Sequence, residues 1–465
     1  MSKLKTWLIP VLIFCLALAL RVYHLPALFV FGTDEEYQAH YAMTLVRDFH
    51  PIWIGVSAAD TGFYLGPYWT YFTALWLKLS GGDPLLTGYV SAVIGSITAV
   101  AVYFLVSHIA TLSTALYSSL LYSSSPLIVY FDQKYWNPST APLLTVLILL
   151  CLTLTQKSTW YFVFSLILYA LTWHVHLSLT PLILVIIVSY FQLKPHFTKV
   201  QIISGVFGIL LVMLPLIIFD FNHDFSNLKT PYRMIQNSFS KNNFINHNIS
   251  MYGNTLSRLV WIEPGNSNAN EIRNPCFPNA IPSPTIIPLV YLMVMSILII
   301  LWRYRLHPYG WALLLFSFAF IFYPSNTTSY YLLGAFPLII ATLAIIFSSF
   351  YLGRIGLVIL LIFNLYTLFL TNPTYGYQNK QRIISTIKSA LGNKSYSLTW
   401  DPVCYTQEGW RYLFQQKIGR SPYSSPVDGI FGWLYDPNEV KINQELTIDL
   451  TPDANGYVYK IITNP

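Results

Sequence analysis

Apolar runs approaching the length of a membrane span recur along this chain, many with only a short polar connection before the next. A helix needs about 20 such residues to cross a bilayer core. Soluble domains carry roughly 25% charged residues, whereas 10% of this chain is charged and 54% is hydrophobic. Too little polar surface is left to keep the fold in water. An all-α polytopic membrane protein is predicted, with apolar windows at 6–23, 84–107, 110–131, 139–156, 159–175, 178–193, 200–219, 285–302, 308–323, 330–348 and 352–371. These would be about eleven transmembrane helices.

Charge in the short connections predicts their sidedness. Lys3, Lys5, Lys157, Lys194, Lys199, Arg303, Arg305 and Arg354 fall on one face, and the other has Lys134 and little else basic. The positive-inside rule then puts the N-terminus in the cytoplasm and the C-terminus outside a plasma membrane. Lys3 and Lys5 before an apolar run imitate a signal peptide, but no small-residue cleavage site follows, so a retained first helix is expected.

Three larger segments, 24–83, 220–284 and 372–465, fall on the outer side. In the first, Glu35–Phe49 and the aromatic Tyr64–Leu79 read as helices lying along the interface. Pro231–Ser250 reads as partly helical. The division expected is a membrane body over 1–372 and a small α+β extracytoplasmic domain over 373–465, with a helix at Gln381–Leu391 and strands at Ser395–Trp400 and Tyr457–Thr463. Cys15 and Cys151 lie in spans. Cys276 and Cys404 lie outside, where a disulfide and two free thiols are both open. The net charge of +7 suits anionic lipid or an anionic substrate, and no soluble module suited to nucleic acid is present.

The candidate chemistry lies at the outer lip. Asp34-Glu35-Glu36 follows the first span. A carboxylate there could take a proton from an attacking hydroxyl, or with another acid hold a divalent cation. The alternative, strongest for Glu36, is a solvated first turn stabilised by the helix dipole. Asp132 and Lys134 follow the third span and could meet a phosphate and its counter-ion, or else cap a turn and snorkel. His174 and His176 are too poorly spaced for one metal ion, although one could face substrate. Asp220, His223 and Asp224 would share a face if their helix continues, as a further metal or phosphate half-site. Arg233 and Lys241 are weaker candidates for the anionic head group, and Tyr330-Tyr331 reads as interfacial packing. Sequons at Asn248, Asn326 and Asn393 would matter in a glycosylating host. No nucleotide cofactor is expected, because no phosphate-cradling loop is present, nor is there a nucleophile elbow or zinc-binding HExxH.

The Asp-Glu pair after span one, with Tyr64-Leu65-Gly66-Pro67-Tyr68-Trp69, Tyr135-Trp136-Asn137-Pro138 and Leu214–Asp220, resembles the GT-C glycosyltransferases. Within them it is most similar to the protein mannosyltransferase and aminoarabinose transferase branch. The resemblance covers the membrane body. It implies inverting transfer of a sugar from a polyprenyl-phosphate donor to a lipid, glycan or protein acceptor, with Asp34 as general base and Glu35 supporting it. Tyr37 stands where the aminoarabinose branch has an Arg, and Gly62-Phe63-Tyr64 where it has Glu-Lys-Pro, so that branch's phosphate and metal groups do not carry over directly. Lys134, Tyr37, Tyr64, His176 and Arg233 are the candidates for donor phosphate or substrate. Asp132, Asp220, His223 and Asp224 are those for a divalent metal. A ligase or polymerase using a lipid diphosphate is the nearest alternative. A transporter fits less well, since its ionisable residues would sit on broken helices near the midplane.

Overall fold

The computed structural model describes residues 3–58, 62–230, 233, 244–263, 285–371, 376–400, 409–419, 444–453 and 456–463. Each of the eleven apolar windows carries helix, from Lys3–Val22 through Leu85–Ile109 to Tyr351–Phe369. Five of the described helices are long and apolar enough to cross a membrane by themselves, and five more are apolar but shorter. The window at 110–131 holds two helices, Leu112–Ser124 and Pro126–Asp132. Pro126 has no N–H to continue the first helix, so the chain turns there and starts again.

Small side chains set how closely these helices approach. Ser91, Ala92, Gly95, Ser96 and Ala99 form a buried stripe along Leu85–Ile109. Ser118 and Ser123 do the same on Leu112–Ser124. Most of these buried hydroxyls are satisfied within their own helices, Ser96 donating to Ala92 O at 2.7 Å and Ser118 to Thr114 O at 2.9 Å, while Ser91 reaches the Lys134 carbonyl. In a medium without water this self-satisfaction is what lets serine enter a helix interface. By contrast, Lys199–Asn222 and Tyr351–Phe369 expose most of their apolar side chains, including Ile203, Phe207 and Ile362. Such faces suit lipid.

Segment 24–83 contains two helices, Thr33–Arg47 and Tyr68–Leu79, close to the bounds expected for its interfacial helices. They pack together, Gln38 Nε2 donating to Thr70 Oγ1 at 3.0 Å. The tail contributes the helices Tyr377–Leu391 and Trp410–Ile418 and three strands, Tyr396–Trp400 (β1), Leu446–Asp453 (β2) and Gly456–Thr463 (β3). β2 lies in the middle, parallel to β1 and antiparallel to β3. A parallel pair needs a crossover, and Trp410–Ile418 lies within it. Both β2 and this helix were absent from the sequence expectation.

One apolar core joins the tail to the first outer segment. Phe29, Phe31, Leu45 and Leu77 pack in the same cluster as Ile384, Trp410, Phe414 and Ile448. Backbone contacts fasten it: Tyr377 N donates to Phe29 O at 2.6 Å, and Tyr412 Oη donates to Gly82 O at 2.7 Å. Cys276, Cys404 and Lys241 lie outside the described residues.

Asn248, on the Phe244–Val260 helix, is fully buried, which closes its sequon in the folded protein, whereas Asn326 and Asn393 are exposed. Its amide faces the carbonyls of Ile321, Tyr323 and Ser325 at 3.0–3.2 Å and accepts from Thr327 N at 2.8 Å and Thr327 Oγ1 at 2.9 Å. That loop leads directly into Ser329–Ala335, which carries Tyr330. Replacing Asn248 by Ala orphans several buried groups, each costing about 1–3 kcal/mol. Asn248→Ala is therefore expected to lower the melting temperature of the detergent-solubilised protein by several degrees, and an unchanged melt would refute this role.

Candidate active site

Asp34, Glu35 and Glu36 form the first turn of Thr33–Arg47, where the helix dipole favours carboxylates. Successive helical side chains point about 100° apart, so the three acids enter three different surroundings. The Asp34 side chain is 54% exposed. Glu35 turns inward. Its Oε2 accepts the Gly32 N–H at 3.1 Å, while its buried Oε1 has no hydrogen-bond partner among the described residues. Glu36 is also buried, but against the tail, where its oxygens accept the N–H groups of Gly409 and Tyr412. A solvated first turn is therefore wrong for Glu36.

Lys134 comes from the opposite direction, on the turn after Pro126–Asp132. Its carbonyl accepts Ser91 Oγ and Ser139 Oγ, each at 2.8 Å, which fixes the turn. Its ammonium lies 3.4 Å from Asp34 Oδ2 and 3.7 Å from Glu35 Oε2, and 4.3 Å from the centre of the Trp136 ring. Burial raises Glu35 above the ordinary carboxylate range, against the pull of Lys134. Burial alone would lower Lys134, but the Glu35 and Asp34 charges raise it overall. The lysine stays a cation, and the buried glutamate holds a proton more readily than a carboxylate in water does.

Two further groups lie within electrostatic reach of Asp34, His176 and Tyr330. Burial pushes His176 down to about 4, opposed by Asp34, so the imidazole is neutral near pH 7. Its Nδ1 accepts Ser178 N at 3.2 Å, which leaves Nε2 to carry the proton. Tyr330 packs edge-on against Trp136, with ring centres 4.8 Å apart, and lies 5.7 Å from His176. Half-buried Tyr37 lies one turn along from Thr33 on the same helix as the acids. Sequence reasoning had assigned Tyr330 to packing. A tyrosine pair at a span end resembles an interfacial belt, and only the chain's return from residue 330 to residue 34 distinguishes the two.

The other expected residues go elsewhere. Asp132 is sequestered by Arg21: Nη2 and Nε approach its Oδ2 at 2.7 and 2.8 Å, both side chains buried. Gly95 makes room, since a Cβ there would come within 2.3 Å of the carboxylate. His174 turns to the Val212 carbonyl at 2.9 Å and stacks on Tyr68. The shared face expected of Asp220, His223 and Asp224 does not form, because the helix ends at Asn222 and Asp224 takes φ +51°. Asp220 instead accepts Asn227 N at 2.8 Å, while Asn227 grips the Tyr64 backbone through both ends of its amide. Tyr64 thus ties the first outer segment to that helix end, its ring against Phe219. Arg233 is exposed. Asp132, Asp220, His223 and Asp224 therefore do not fit as ligands of one metal ion. Among the described residues no three His, Cys, Asp or Glu side chains gather where one could be held.

No protein-family model matches the chain, and no curated protein matches it. Solved structures do. The chain is similar to ArnT from Cupriavidus metallidurans bound to undecaprenyl phosphate, with TM-score 0.64 and 12% identity over 95% of this chain and 92% of that one. It is also similar to the Archaeoglobus fulgidus oligosaccharyltransferase in complex with Zn and sulfate, with TM-score 0.52 and 11% identity over 95% of this chain and 68% of that one. The same archaeal enzyme, AglB, in complex with an inhibitory peptide and a dolichol-phosphate, gives TM-score 0.50 at 11% identity, covering 97% of this chain and 70% of that one. This chain has the fold of the GT-C glycosyltransferases. At this coverage the likeness takes in most of the tail, which the sequence motifs did not reach.

Breaking a buried ion pair by removing one partner typically costs about 3–5 kcal/mol, because the other charge is stranded. Arg21→Met is expected to destabilise the protein on that scale, and Arg21→Met with Asp132→Leu to recover most of the loss, as read by thermal melts. An Asp132→Leu protein that melts normally while Arg21→Met does likewise would show that the pair carries no structural load.

Proposed function

We propose that this chain is a membrane glycosyltransferase that moves a sugar from a polyprenyl-phosphate donor to an acceptor hydroxyl or amine, on a lipid, glycan or protein, at the outer face of the plasma membrane. The observation that carries this is the exposed Asp34 carboxylate held at the lip of a GT-C fold beside a lysine. The undecaprenyl phosphate and dolichol-phosphate bound by the solved GT-C structures support the donor class.

In this reading the acceptor attacks the sugar carbon from the face opposite the phosphate. One bond forms to that carbon as the bond to the phosphate oxygen breaks, which inverts the stereochemistry. Asp34 takes the acceptor proton. General-base assistance of this kind is worth roughly 10²–10⁴-fold. Lys134 supplies a positive point charge for the departing lipid phosphate, preorganised by Glu35 and by the Trp136 ring beneath it. A cation already in place costs no rearrangement as charge develops. Tyr37, His176 and Tyr330 complete the wall around Asp34.

Topology belongs to the same proposal. The basic short connections put the N-terminus in the cytoplasm and the acids and tail outside. A lipid diphosphate donor would bring more negative charge to the lip than Lys134 balances, which favours the monophosphate.

Asp34→Asn is expected to reduce transfer by about 10²–10⁴-fold while binding of undecaprenyl phosphate persists, and Lys134→Met to weaken that binding as well. Full turnover in Asp34→Asn would reject the base. Asp34→Cys in intact cells should react with a membrane-impermeant maleimide; labelling from the cytoplasmic side alone would overturn the outer-face reading.

A further inference from the structure

We propose that Glu36 is a positioning residue that clasps the tail onto the first outer segment and so holds Asp34 and Glu35 in register with Lys134. The proposal rests on the role given to Asp34 above, and it assigns a function to the third acid, which the proton transfer does not use.

The peptide leading into the acidic turn is held in an unfavourable shape. Phe31 has φ +49°, in the left-handed region. That region costs a bulky residue roughly 1–2 kcal/mol, and such a residue relaxes to extended backbone unless its neighbours prevent it. Its neighbours are the tail. Lys380 Nζ donates to Phe31 O at 3.3 Å, and the Tyr412 ring packs 5.5 Å from that of Phe31. Gly409 lies so near that a Cβ on it would come 2.3 Å from Phe31 O. Two residues back, Phe29 O accepts Tyr377 N.

Glu36 fastens this arrangement. Its Oε1 accepts Tyr412 N at 2.6 Å and its Oε2 accepts Gly409 N at 3.2 Å, at the start of Trp410–Ile418. These N–H groups have no partner within their own helix, and a buried carboxylate is a strong acceptor for them. Because Glu36 is the next residue after Glu35 in one helical turn, its side chain cannot rotate about the helix axis without carrying Asp34 and Glu35 with it. The turn is gripped from one side by Lys134 and from the other by the tail. Released from the tail, Phe31 is free to relax and the turn to swing away from Lys134. Displacing a catalytic group by about 1 Å can cost on the order of 10²-fold in rate.

The test uses the full-length protein in nanodiscs, with hydrogen–deuterium exchange over residues 29–40 and steady-state transfer from polyprenyl-phosphate sugars. Glu36→Ala and Gly409→Ala approach the clasp from its two sides, and the second leaves the acids untouched. Each is expected to speed exchange in that segment and to lower kcat by about 10–100-fold with donor KM within roughly threefold. Glu36→Gln, which keeps one carbonyl acceptor, should fall between Glu36→Ala and wild type, and the double variant should lose no more than the worse single. Unchanged exchange in both single variants would overturn the clasp. Faster exchange with normal kcat, or a kcat loss matched by the unfolded fraction and equal in Glu36→Gln, would overturn the positioning role. If the wild-type protein transfers no such sugar, the functional reading fails and the positioning role with it, while the exchange data still decide whether the clasp exists.

Discussion

Lys134 joins two parts of the molecule that the chain keeps a hundred residues apart. Its backbone belongs to the helical bundle, pinned by Ser91 and Ser139, and its ammonium reaches two acids on the interfacial helix. As an exposed ion pair, Lys134 with Asp34 contributes little stability. With Glu35, one carboxylate oxygen of which has no hydrogen-bond partner among the described residues, it does more. A buried acid and a shielded lysine each become less costly in the presence of the other, and together they locate Asp34 without burying it. The aspartate stays exposed while its position is set by groups largely shielded from water, as the proposed proton transfer requires.

The membrane body was legible because its signal is local and repeated. Each apolar window needed nothing beyond its own residues to be recognised, and each holds helix. The helices Thr33–Arg47 and Tyr68–Leu79 were legible for the same reason. The tail was harder. Gln381–Leu391 showed its amphipathic period, with Ile383, Ile384, Ile387 and Leu391 buried; Leu446–Asp453 also alternates, Leu446, Ile448 and Leu450 being buried between polar residues, but that signal is short and ends in a proline and an acid. Its place at the centre of the sheet follows from partners on both sides, which no window contains.

For the site, residue type was the guide and location the difficulty. Asp34, Glu35 and Lys134 come together, with His176 within electrostatic reach of Asp34. Asp132 seemed an equal candidate until Arg21, at the far end of the first span, took its carboxylate. An arginine there reads as an ordinary basic end to a helix. The Asp220 group failed on a different point: its spacing argument assumed a helix that stops at Asn222. Charge pairing and helix termination are decided by contacts distant in sequence, so neither could be excluded from spacing.

Three consecutive acids would repel one another if they shared an environment. Helical geometry prevents that by turning each about 100° from the last. One meets solvent, one a lysine from the bundle, and one the free N–H groups of a helix from the tail. The separation has a functional corollary. A single flexible carboxylate at the lip would be drawn onto the lysine and neutralised there. Because Glu35 already engages Lys134 and Glu36 fixes the turn, Asp34 approaches the lysine at 3.4 Å without being its sole partner. Under the proposed function, a lipid phosphate bound to the ammonium would relieve Asp34 of a competing contact and leave it to hold the acceptor proton, which would couple arrival of the donor to activation of the base.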